Sequence, residues 1–139
     1  MYPTQCTSVL FITQLFHAYI KQNSPIFFSF LPLYTTTLIY HHTKRTLVHS
    51  TTSLLCKVDM FLCGVFYFAA LYDYLRRNTI QPPYSTVCLG FHVVLPASFI
   101  LGAKYKSLMW TPDPYVSDAW HAVFHLLILF DTHLYLSNS

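Results

Sequence analysis

His121 and His125 stand four residues apart in the run DAWHAVFHLLILFDTHLYL, Asp118 to Leu136. On a helix that spacing projects both imidazoles from one face, the arrangement by which a helix gives two nitrogens to one zinc ion. Thr37 and His41 repeat the spacing in TLIYHHTKR, so a hydroxyl and a third imidazole share a face of another segment. His42 is an alternative third ligand, but the residue one turn before it is Leu38, which has no hydroxyl. Asp59, in KVDMFLCGVFY, adds a carboxylate. Three imidazoles and a carboxylate are the parts of a hydrolytic zinc centre, in which the metal lowers the pKa of its water toward about 7 and the carboxylate moves the proton. The same residues have a structural use: imidazole and carboxylate groups inside apolar helices pair with one another.

The segments that must position these residues are unusually apolar. Of 139 residues, 54% are hydrophobic and 9% charged, where a soluble domain carries about 25% charged residues. The acidic residues are all Asp, at positions 59, 73, 113, 118 and 131, and the absence of Glu disfavours amphipathic surface helices laced with Glu/Lys pairs. The net charge of +3 is dispersed over Lys44-Arg45, Arg76-Arg77 and Lys104/Lys106, between apolar runs. Such clusters flank membrane segments and do not form a nucleic-acid footprint. Cys6, Cys56, Cys63 and Cys88 make no C-x-x-C pair and read as buried small hydrophobes. No basic residue precedes the first apolar stretch and no small-residue cleavage site follows it, so it reads as retained protein.

Apolar runs cover approximately residues 9–20, 26–42, 54–75, 85–103 and 119–136. The first is shorter than the roughly 17 to 25 residues a spanning helix needs. The expectation is an all-α integral membrane helical bundle with four to five transmembrane helices, a single domain over residues 1–139. Pro32 and Pro96 fall inside runs, Arg76-Arg77 and Pro82-Pro83 stop the third, and Ser117 or Asp118 is the expected N-cap of the last. Alternating helix direction brings the end of the second run, the start of the third and the start of the last to one membrane face. By that argument His41, Asp59, His121 and His125 reach one depth. Loop Lys and Arg residues give a small positive-inside bias toward a cytosolic face for that side.

The pieces TLIYHHTKR, KVDMFLCGVFY and HAVFHLLILFDTH resemble the three motif regions of the CREST superfamily of membrane proteins. That superfamily includes alkaline ceramidases, the adiponectin and progestin receptor family, hemolysin III proteins and GPI-anchor lipid remodelling proteins. Its pattern is Ser-x-x-x-His near the end of one helix, Asp at the start of the next and His-x-x-x-His on the last. The resemblance implies a zinc site with His41, His121 and His125 as ligands, Asp59 acting on the metal-bound water, and Thr37 where the family has Ser. It implies hydrolysis of a lipid amide or ester, with membrane lipid as partner. The chain has fewer helices between the Asp and the last histidine pair than the family, so it would be a shortened or divergent member, or a piece of a longer one.

Asp73, His92, Asp131 and His133 lie toward the opposite face, with Asp131 and His92 the expected structural pair. His17 and His49 are expected at the interface or in solvent, and Trp110, Trp120, Tyr72, Tyr74, Tyr105 and Tyr115 fit an aromatic belt. Two other functions use the same features. One is a non-enzymatic membrane subunit or assembly module that joins partner helices or a second copy and uses its histidines as structural pairs. The other is a membrane haem anchor, with axial histidines from facing helices. The expected location is an endomembrane or the plasma membrane, as a multi-pass protein.

Overall fold

The computed structural model describes residues 3–43, 49–77 and 82–138, and all of these that are regular are helical, with no strand among them. Five α-helices follow in order: α1 Pro3–Ile20, α2 Ser24–Thr43, α3 His49–Arg77, α4 Tyr84–Tyr105 and α5 Pro114–Asn138, with a single 3₁₀ turn at Leu108–Trp110. The all-α expectation holds. Two stretches, Leu54–Arg76 and Tyr84–Trp110, are long and apolar enough to cross a membrane, and only 17% of each apolar window is buried. The chain sorts into two compact units, Ser8–Asn78 and Met1–Thr7 with Thr79–Ser139.

Within the first unit each helix has one buried stripe. On α2 it is Ile26, Phe30, Leu33, Thr37 and His41, a repeat of three and four residues that keeps them on one face. On α3 it is Asp59, Phe66 and Asp73, spaced by sevens. Phe30 is the centre: its ring lies 5.3 Å from that of Phe11 on α1 and 4.8 Å from that of Phe66. The polar residues of the stripe, Thr37, His41 and Asp59, sit beyond this apolar centre.

The turn from α1 to α2 is built by local hydrogen bonds. Asn23 N donates to Ala18 O and Gln22 N to Tyr19 O, with Gln22 left-handed at φ 51. This closes the last carbonyls of α1 as a Schellman turn. Asn23 then caps α2, its Oδ1 accepting from Ile26 N at 3.2 Å, while its Nδ2 donates to Asp73 Oδ2 at 2.8 Å. One buried side chain therefore starts α2 and ties it to α3. Asn23→Ala removes both bonds and is expected to cost about 2 to 3 kcal/mol in reversible unfolding of the detergent-solubilised chain. A loss below about 0.5 kcal/mol would show that neither bond matters.

In the second unit α5 buries Asp118, Ala122, His125, Leu129, Thr132 and Leu136, again by fours and threes along one face. Phe91 on α4 meets Phe130 on α5 at 5.8 Å, and Phe99 meets Trp110 at 5.3 Å. Gly102 lets the chain fold back after α4, because a Cβ there would stand 3.1 Å from Ser107 O and 3.2 Å from Trp110 Cδ1. Its carbonyl accepts from Lys106 N and Ser107 N, which close the helix.

Helix ends depart from the apolar runs. The N-cap of α5 is Asp113, not Ser117 or Asp118: Asp113 Oδ1 accepts from Tyr115 N at 2.9 Å and Val116 N at 3.0 Å, with Pro114 at the first helical position. Ser117 instead donates to Met109 O. The helix α3 begins at His49, five residues before the apolar run. Hydropathy marks the apolar part of a helix, whereas the backbone ladder continues through polar residues. The Lys44-Arg45 connector and the side chain of His49 lie outside the described residues.

All four cysteines are free, but only Cys88 is buried, while Cys6 and Cys63 are exposed. The burial expected of cysteines in apolar segments fails at Cys63 because Asp59, Phe66 and Asp73 hold the inward stripe of α3. Several hydroxyls bond back to their own helix: Thr13 to Leu10 O, Thr35 to Leu31 O and Thr43 to Ile39 O, all exposed.

Candidate metal centre

The first unit supplies one group of candidate residues. Thr37 and His41 occupy successive turns of the α2 stripe, 1% and 0% exposed. Both are inward because the spacing that puts Ile26, Phe30 and Leu33 in the core carries on to the end of the helix. Thr37 Oγ1 donates to Asp59 Oδ1 across the α2–α3 packing, and Asp59 is 6% exposed. The hydroxyl proton is thus committed to the carboxylate, which it holds in one orientation. His42, the alternative ligand, is exposed.

The second unit supplies the histidine pair. His121 and His125 lie on α5 with ring centroids 4.8 Å apart at an interplanar angle of 64°, as their spacing of four residues requires. His125 is buried and His121 half-buried. His125 Nδ1 is 2.9 Å from Thr7 Oγ1, on the first turns of α1. One turn before it, Thr4 N and Thr4 Oγ1 donate to the buried carboxylate of Asp118, at 3.2 Å to Oδ2 and 2.7 Å to Oδ1. An acid at the amino end of α1 meets the unpaired amides and the positive end of that helix. Two imidazoles on one helix face, one of them with a ring nitrogen engaged in a hydrogen bond, are a donor pair that could help to hold a metal ion.

Thr4, Thr7 and the partner role of Asp118 are not readable from the candidate motifs. The signal lies in the buried pattern Thr4, Thr7, Ser8, Phe11, Gln14, Leu15 and Ala18, a helical stripe that mixes polar and apolar residues on a segment whose apolar run starts only at Val9. Its helix begins at Pro3, ahead of that apolar run.

Of the groups expected toward the other face, His92 and Asp131 do approach, at 3.6 Å. That is longer than a hydrogen bond, because His92 Nδ1 donates to Cys88 O at 2.8 Å. Asp73 accepts from Asn23 and His133 is exposed. Of the residues expected in an aromatic belt, Tyr72, Tyr105, Tyr115 and Trp120 are exposed, whereas Tyr74 and Trp110 are half-buried.

No family model matches the chain, and neither a curated protein nor a solved structure matches it.

Proposed function

We propose that the chain is a multi-pass membrane protein with four to five spanning helices whose His41, His121 and His125 bind one zinc ion, and that it hydrolyses a lipid amide or ester. The membrane reading is supported by the helices at Leu54–Arg76 and Tyr84–Trp110, whose apolar windows are mostly exposed, unlike those of helices in a water-soluble core. Phe28, Phe61, Phe68, Val93 and Ile100 are each more than half exposed, and lipid is the medium that tolerates such a surface.

The observation that carries the zinc reading is the 4.8 Å His121–His125 pair on one face of α5. His41 completes the set by its residue type, by its burial and by the helix-direction argument drawn from the sequence. When bound, zinc supplies Lewis acidity and a water of lowered pKa. Asp59 takes and returns the proton of the reacting water, and Thr37, donating to Oδ1, fixes which carboxylate oxygen is offered. This gives Thr37 a role in holding the base, so the change from the family's Ser keeps the needed group.

The test is metal analysis and lipid hydrolysis by the detergent-purified full chain. The expected result is about one zinc per chain, as in a three-histidine site. His41→Ala, His121→Ala and His125→Ala should each lose it, while His42→Ala keeps it. Asp59→Asn should retain the metal and lose about 10²- to 10⁴-fold in hydrolysis, the range of general base catalysis. Sub-stoichiometric metal in the wild type, or unchanged metal in His121→Ala, would sink the reading.

A second reading, the non-enzymatic assembly module, is favoured by one observation: His125 and Asp118 already have hydrogen-bond partners in Thr7 and Thr4. It expects a metal-free wild type and normal folding of a His121→Ala/His125→Ala chain.

A further inference from the structure

Thr7 stands outside every motif that pointed to the metal, yet it touches one of the proposed ligands. It is 8% exposed, and its Oγ1 lies 3.1 Å from Pro3 O, one turn back on α1, and 2.9 Å from His125 Nδ1. A hydroxyl has one proton to give. Donation to the carbonyl four residues back is the ordinary bond of a helical threonine, and Thr35 and Thr43 make it in the same chain. A carbonyl cannot donate in return, so a Thr7 hydroxyl bonded to Pro3 O turns its lone pairs to His125, and the proton between the two side chains is then that of Nδ1; a hydroxyl that donates to Nδ1 instead makes the other tautomer.

We propose that Thr7 is a positioning residue for His125: its hydroxyl accepts the Nδ1–H of the ring, holds the neutral ring in that tautomer and thereby presents Nε2 to the metal. The inference rests on the zinc reading for its ligand but not for its hydrogen bond. Histidine ligands commonly donate their second nitrogen to a carbonyl, carboxylate or water, which fixes the ring and raises its basicity. Here a side-chain hydroxyl does it from a different helix. The position of that hydroxyl is itself fixed one turn earlier, where Thr4 donates to Asp118 at 2.7 Å. Thr4 and Thr7 are three apart and Asp118 and His125 seven apart, so each pair shares a helix face. Two bonds between these faces leave the ring of His125 little freedom to rotate.

Imidazole nitrogen NMR on the full chain in detergent, with His125 assigned from the signal lost in His125→Ala, reads the tautomer without any metal. At a pH where the ring is neutral, wild type and Thr7→Ser should show a protonated Nδ1 and an unprotonated Nε2. Thr7→Val, which keeps the shape and removes the acceptor, should lose that preference. Zinc competition with a chelator should then give a Kd about 10- to 100-fold weaker in Thr7→Val, the usual effect of losing such a partner, restored in Thr7→Ser. Protonated Nε2 in the wild type overturns the proposal, as does a Thr7→Val chain that binds zinc as tightly as the wild type. The wild-type spectrum needs no variant, so a Thr7→Val chain that does not fold leaves the test intact. Failure of the wild type to take up zinc would defeat the zinc reading and the metal-facing half of this one, while an Nδ1–H ring in that chain would still uphold the hold of Thr7 on His125.

Discussion

Asp118→Ala should destabilise the chain by about 3 to 5 kcal/mol, more than any other polar substitution on α5. Its carboxylate is 6% exposed and accepts from two donors of Thr4, which is itself fully buried. Hydrogen bonds to a charged group contribute about 1.5 to 3 kcal/mol each, and the alanine leaves both donors buried without their acceptor. The loss of the negative charge at the amino end of α1 adds about 0.3 to 1 kcal/mol. Asp118→Asn separates these effects. The amide keeps an oxygen for Thr4 Oγ1 and loses only the charge and one acceptor, so the expected cost is about 1 to 2 kcal/mol. Helix content followed against a denaturing detergent measures both. Equal losses in the two variants would mean that charge, not hydrogen bonding, holds α1 at this point.

The second large effect is expected at Phe30. Phe30→Ala should cost about 3 to 5 kcal/mol, the range for removing a buried aromatic ring. The ring is completely buried and contacts Phe11 and Phe66 at centroid distances of 5.3 and 4.8 Å. Lost dispersion contacts and the cavity left behind make up much of this cost. Phe30→Leu keeps most of the volume and should cost about 1 to 2 kcal/mol, chiefly the edge-on ring contacts. Phe28, two residues away and 69% exposed, is the control: its alanine variant should stay within about 0.5 kcal/mol of wild type. A similar loss at both positions would mean that apolar content, and not the packed stripe, stabilises α2.

Much of this was legible in the residues. Apolar runs located all five helices, because in so apolar a chain the runs and the helices largely coincide. The spacing of Thr37 with His41 and of His121 with His125 correctly put each pair on one helix face, since four residues is close to a full turn. The pairing of His92 with Asp131 was readable in kind, although a nearer carbonyl, Cys88 O, takes the hydrogen bond. Helix ends were not legible from hydropathy: Asp113 caps α5 through local geometry, ahead of both Ser117 and Asp118. The partners of Asp118 and His125 were also hidden. Thr4 and Thr7 are more than a hundred residues away in sequence, and no spacing rule links two threonines to a distant helix.

The hydroxyls that bond back to their own helices bear on the order in which the protein assembles. Thr13, Thr35 and Thr43 satisfy their protons within one turn of α1 or α2. Such a hydroxyl is satisfied as soon as its own helix forms, with no need of a neighbour. Thr37 and Thr4 are different, because their protons reach carboxylates on other helices. Those bonds form only when the helices associate. The chain therefore separates its polar groups by time: one set is at rest as soon as a helix forms, and the other gives the formed helices a reason to find particular partners.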